Sequence, residues 1–218
     1  MDQIILMADA RVAAIPVIDC GEDLVDVAGD GQVLVDARNA DPAGAFTRLR
    51  RGVYDRLLKA QAQLPDGLRL LFVEGYRPPA LQRRYFTGHA ADLAAAHPDW
   101  TAEQVHVAAS RFVSPPDIAP HSAGAAVDLT LATLDGRELD LGCPIDADPE
   151  ESGGACYTHA GNITDQARTN RAVLGDALTA AGFVNYPTEW WHWSYGDRYW
   201  ALLSGSPAAI YGPHEQAS

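Results

Sequence analysis

The chain is short of positive charge: 16 lysines and arginines stand against 29 aspartates and glutamates, for a formal charge of −13 at pH 7. Phosphate backbones and anionic membrane surfaces recruit the opposite sign of charge, so nucleic acid and lipid headgroups are not expected partners. A long apolar run is also missing. No stretch approaches the roughly 20 apolar residues that a membrane span needs, and the opening MDQIILMADARV has an acid before a short apolar run and no basic leader. A cytoplasmic location is therefore expected. Cysteine is scarce and scattered: Cys20, Cys143 and Cys156 form no CxxC pair, which argues against a disulfide framework and against a thiolate zinc site. A Cys143–Cys156 bond across a loop would be unusual in a reducing compartment. There is no internal repeat, no cell-wall-binding module and no long linker, so residues 1–218 read as one domain.

What is present suits a packed interior. Apolar residues make up 47% of the chain and charged residues only 21%, a balance that folds rather than staying disordered. The runs IPVI (15–18) and QVLVD (32–36) predict strands at a sheet edge. Over residues 43–64, Phe46, Leu49, Val53, Leu57, Ala60 and Leu64 recur at steps of three and four, one apolar helix face. LRLLFVEGY (68–76) reads as a buried strand stopped by RPP, because proline cannot donate to a ladder. Two helices are predicted next, over 80–97 and 101–112, the second opened by a capping box between Thr101 and Gln104. AVDLTL (126–131) alternates like a strand with one wet or functional face, and residues 148–161 form an acidic, glycine-rich loop. A long helix over 164–183 is capped by Thr164 and closed near Gly182. The chain ends with a strand over 183–195 and a short helix at DRYWALL. Strands and helices do not alternate regularly, so the expected class is α+β, with a central, largely antiparallel sheet flanked by helices.

Three residues suggest metal chemistry. His121, Asp128 and His192 make a ligand set that suits zinc and leaves a coordination position open, as catalysis requires. Glu189, three residues before His192 in PTEWWHWSYG (187–196), would be free to take a proton from water that the ion activates. On a regular strand residues 189 and 192 face opposite ways, so both reach one site only if the backbone bends near Pro187–Trp190. With that bend, Trp191 and Trp193 face the core behind His192 and Trp190 flanks the site.

Together the strings resemble a known family. HSAGAAVDLTL (121–131) resembles the HxxGxAxD signature of zinc peptidases acting on D-alanyl peptides, and EWWHW (189–193) resembles their ExWH signature. EGYRPPALQ (74–82) resembles the GYRP segment of the VanX-type D-alanyl-D-alanine dipeptidases, and the order and spacing agree over residues 50–200. The resemblance implies one zinc ion per chain held by His121, Asp128 and His192, with Glu189 as general base and then proton donor to the leaving amine. It implies that Arg77 stabilises the oxyanion, that Asp146 grips the substrate's free ammonium and so limits the enzyme to dipeptides, and that Ser122 supports the substrate loop. One position departs from the pattern: Ala119 stands where the family carries a serine that helps hold the substrate carboxylate. That contact must come from elsewhere, or the substrate differs at its C-terminal end.

The expected activity is zinc-dependent hydrolysis of D-Ala-D-Ala or a closely related D-amino dipeptide. A zinc D,D-carboxypeptidase or endopeptidase acting on peptidoglycan stem peptides would share the ligands but need an open cleft. A non-catalytic zinc-stabilised binding domain fits less well with retention of both Glu189 and Arg77. A homo-oligomer is compatible with the sequence, and a role in glycopeptide resistance or in wall turnover is equally so.

Overall fold

The structure, a computed structural model, describes residues 4–111 and 113–215. Residues 1–3, part of the leader argument above, and Phe112, the last residue of a predicted helix, lie outside the described residues. In chain order the elements are α1 (Ala10–Ala13), β1 (Leu24–Asp26), β2 (Leu34–Val35), β3 (Arg48–Arg50), α2 (Arg51–Gln61), β4 (Leu68–Glu74), α3 (Pro79–Ala96), α4 (Ala102–Ala109), β5 (Ala126–Thr133), α5 (Asp165–Ala180), β6 (Val184–Asn185), β7 (His192–Ser194) and α6 (Arg198–Ser204). Five strands form one sheet in the order β2-β4-β5-β7-β6, antiparallel except for the parallel β2–β4 pair at one edge. β1 and β3 form a separate antiparallel ribbon. This is the α+β class with a largely antiparallel sheet that the element pattern implies.

β5 lies at the centre of the sheet. Val127, Leu129 and Leu131 on it are fully buried against Leu57 of α2, Leu174 and Leu178 of α5, and Trp193 of β7. Each such leucine contributes about 1.5–3 kcal/mol on burial. The residues that alternate with them, Asp128 and Thr130, are buried as well, so the second face of β5 is not wet; it is the functional alternative, with Asp128 on the cleft. A strand in mid-sheet is covered on both sides.

Three predicted elements differ from the structure. The helix over 43–64 starts only at Arg51: Phe46 sits in a 3-10 turn (Ala45–Thr47) and Leu49 in β3. Gly75 N–H donates to Phe46 O and Tyr76 N–H to Arg48 O, each over 2.7 Å, so partners distant in sequence take the carbonyls a helix would have used. IPVI makes a single bridge, Val17 to Ala209, rather than a strand. Residues 183–195 are two short antiparallel strands, β6 and β7, joined by a turn. The paired helices α3 and α4, the capping box at Thr101 and the Thr164 cap are as predicted.

Candidate active site

The sheet brings three polar side chains to one level. Glu74 at the end of β4 is opposite Asp128 of β5, and Asp128 is opposite His192 of β7. Directly opposed residues project to the same face of a sheet, and an irregularity between Phe72 and Glu74 shifts Glu74 into this row. His121 comes from the 3-10 turn Pro120–Ala123 that feeds β5. That turn ends at Gly124, whose φ of 65° is left-handed and whose Cβ, if present, would sit 2.5 Å from Leu24 Cδ2. Only glycine fits there.

The donors converge. His121 Nε2 lies 3.2 Å from His192 Nδ1 and 3.3 Å from Asp128 Oδ2, and His192 Nδ1 lies 3.0 Å from Asp128 Oδ1. A tetrahedral ion with ligands at about 2.0–2.1 Å holds its donors about 3.3 Å apart, so the spacing fits a metal. The tautomer fits too. His121 Nδ1 is 2.6 Å from Gly75 O, which can only accept, so the proton is on Nδ1 and Nε2 offers its lone pair. All three residues are buried.

Burial opposes charge on Asp128, but the His121 and His192 rings outweigh it and hold the carboxyl well below the usual range. Burial likewise lowers His121, and the Asp128 charge overcomes this to raise it. Glu189 has the reverse balance. Desolvation, with help from the Asp128 and Asp146 charges, pushes its carboxyl up to about 7 despite His192 nearby. Its Oε2 is 3.9 Å from His192 Nδ1. The bend that parity demands is present: Glu189 N–H donates to Tyr186 O and His192 N–H to Glu189 O, closing tight turns between β6 and β7.

Arg77 leaves β4 and faces the same cleft. Its Nε donates to Glu74 Oε1 over 2.7 Å, its Nη2 bonds Glu74 Oε2, and its Nη1 donates to Gln82 Oε1 over 2.9 Å. Gln82, fully buried in the first turn of α3, donates in turn to Ser114 O. Arg77 N–H also donates to His121 O, so guanidinium and ligand histidine share one frame. Ser122 braces that frame instead of lining the cleft: it is buried and its Oγ donates to Arg77 O. The cleft, about 780 Å³, is lined by His121, Asp128, His192, Glu189, Arg77 and Asp146 among others, and Ala119 lies on its wall. Asp146 lines this cleft as an exposed residue; desolvation, with the Asp128 and Glu74 charges, raises its carboxyl.

The tryptophans divide only partly as expected. Trp191 and Trp193 lie in the core, and Trp191 also reaches the cleft wall. Trp190, expected to flank the site, lies in the core with its indole N–H on Cys143 Sγ and Arg171 over its ring. Sequence reasoning gave no role to Glu74, Gln82 or Asn39. Glu74 and Gln82 lie within the string EGYRPPALQ, three before and five after Arg77, and for Glu74 a charge at the end of a buried strand was the available signal. Asn39, in a polar loop far away in the chain, gave none.

Comparisons with known proteins place the chain in a family. A family model described as D-ala-D-ala dipeptidase, of the peptidase M15 group, matches residues 38–204. A D-alanyl-D-alanine dipeptidase of Synechocystis sp. is 30% identical over 219 residues, spanning 86% of this chain and 87% of that protein. One from Escherichia coli is 31% identical over 131 residues, 60% of this chain and 56% of that protein. The solved LdcB LD-carboxypeptidase shares the fold, with a TM-score of 0.50 and 18% identity over 88% of this chain and 77% of that one.

Proposed function

This chain belongs to the D-ala-D-ala dipeptidase family of peptidases, and we propose that it is a zinc-dependent D,D-dipeptidase hydrolysing D-Ala-D-Ala or a closely related D-amino dipeptide. The observation that carries the reading is the convergence of His121 Nε2, His192 Nδ1 and the Asp128 carboxylate at tetrahedral spacing beside Glu189. His121, Asp128 and His192 would hold one zinc ion per chain, which when bound supplies a Lewis acid that polarises the scissile carbonyl and acidifies water.

Glu189 takes the proton of the attacking water on its carboxylate and later gives it to the leaving amine. A carboxyl lifted to about 7 by burial suits both halves of that task, since a group titrating near the working pH can accept and release a proton. Arg77, with two of its nitrogens tied to Glu74 and one to Gln82, stays fixed in the cleft, where it meets the negative charge that develops on the carbonyl oxygen. Asp146 receives the free ammonium of the dipeptide, and Ser122 keeps the His121 turn against Arg77.

The cleft volume favours a second reading. About 780 Å³ lies in the upper part of the ~300–1,000 Å³ range that accommodates drug-sized ligands, room enough for a longer peptide end. A zinc D,D-carboxypeptidase on stem peptides would use the same donors. The test is to incubate the zinc-loaded protein with D-Ala-D-Ala, L-Ala-D-Ala, L-Ala-L-Ala and N-acetyl-D-Ala-D-Ala, measuring released amino acid. Hydrolysis of D-Ala-D-Ala that disappears on acetylation, and that drops about 10²–10⁴-fold in Glu189→Ala with zinc content unchanged, supports the dipeptidase. Release from the acetylated compound alone transfers the assignment to the carboxypeptidase class.

A further inference from the structure

Asn39 Nδ2–H donates to Asp146 Oδ2 over 2.8 Å, across 107 positions of sequence. The loop that carries Asn39 is fixed on both sides. Upstream, Asp36 N–H donates to Phe72 O over 2.8 Å, and Arg38 is paired with Asp36 and with Glu138 from beyond β5. Downstream, Asp41 Oδ2 accepts from Phe46 N–H over 2.8 Å. Asn39 therefore meets Asp146 from a rigid support.

Asp146 needs such a support. Among the described residues it is the one non-glycine with positive φ, 66°, a backbone conformation that a side-chain-bearing residue adopts at a cost. Its electrostatic surroundings are mostly unfavourable: Glu74 from β4, Asp128 from β5 and Glu189 from the β6–β7 turn all share its cleft. Of the three arginines that line the cleft, Arg77 is committed to Glu74 and Arg38 to Asp36 and Glu138, and Arg111 is not ion-paired with Asp146. A carboxylate held in this way, with one oxygen on an amide donor and no cation paired to it among the described residues, is arranged to receive a cation from the cleft.

We propose that Asn39 is a positioning residue that holds Asp146 Oδ2, leaving Oδ1 aimed at the ammonium of an incoming dipeptide and so setting the preference for substrates with a free amino end. The inference rests on the reading of Asp146 as the ammonium partner. An amide is the right group for the task because it donates without adding charge, whereas a carboxylate at position 39 would repel Asp146 and a lysine would neutralise it in place of the substrate.

The experiment compares zinc-loaded wild type with Asn39→Ala, Asn39→Asp and Asp146→Ala, reading kcat and KM for D-Ala-D-Ala and the inhibition constant of N-acetyl-D-Ala-D-Ala. Loss of one hydrogen bond to a charged group predicts that Asn39→Ala raises KM for the free dipeptide about tenfold, with kcat within about twofold. Asn39→Asp should raise it further, and neither should shift the acetylated compound. A general loosening of the loop would move both compounds together and overturn the proposal. So would unchanged KM in both Asn39 variants while Asp146→Ala raises it, an outcome that leaves the dipeptidase reading standing. No cleavage of the free dipeptide by wild type, or no KM change in Asp146→Ala, would sink that reading and the Asn39 role with it.

Discussion

A single buried pair decides how Arg77 is presented. The Glu74 and Arg77 side chains are 7% and 17% exposed, and removing one partner from such a pair leaves an uncompensated charge in a site that cannot solvate it. Glu74→Gln keeps the shape but removes the charge and one acceptor. We expect kcat to fall at least about tenfold with little change in KM, because the guanidinium acts on charge that exists only in the transition state. Steady-state kinetics beside a melting curve would check this, the melting temperature falling as well. Glu74 also shows why this part of the site was not legible: in the string EGYRPPALQ its neighbours carry the resemblance, and only the pairing of β4 with β5 brings it opposite Asp128.

Among the elements, α6 carries a titratable cap. Asp197 Oδ1 accepts from Tyr199 N–H over 2.6 Å and Trp200 N–H over 3.0 Å, while the residue is 3% exposed. Burial pushes its carboxyl up, and the two α6 amides offset only part of that. Its folded pKa therefore lies above the unfolded value of 3.8, so the folded state binds the proton more tightly and the wild type loses stability as pH rises from 3.8 through the folded pKa. Asparagine caps as well as aspartate and carries no charge. Asp197→Asn should match the wild-type melting temperature near pH 3.5 and exceed it at pH 7; a gap of the opposite sign at pH 7 would show that the cap prefers the anion. Element boundaries were harder to read than element types. The apolar positions of residues 46–60 satisfy a helix, yet Leu49 belongs to β3 because the end of β4 hydrogen-bonds the carbonyls of residues 46 and 48.

For the molecule as a whole, the cluster of His121, Asp128 and His192 couples the site to stability. These residues are 6%, 3% and 5% exposed, and they crowd donors into a space that a cation would satisfy. An ion that binds only the folded chain stabilises it by about 2.7 kcal/mol when present at 100 times its Kd. Zinc added to chelator-treated protein should therefore raise the melting temperature in a concentration-dependent way, and His121→Ala should remove that dependence. Calorimetric scans at several zinc concentrations would measure both.

The sequence by itself determined the class of the fold, the strands and helices that carry the site, and the donors that could share an ion, because periodicity, caps and residue chemistry are local properties. It also posed the parity conflict between Glu189 and His192, which showed that a bend was needed. Only the tertiary structure decided the rest. Strand register set Glu74 opposite Asp128, the chain between β6 and β7 kept Trp190 in the core and off the cleft, and a loop 107 positions away brought Asn39 to Asp146. Each of those depends on which segments pair across the fold, and pairing is fixed by the burial of the whole core rather than by the residues adjacent in the chain.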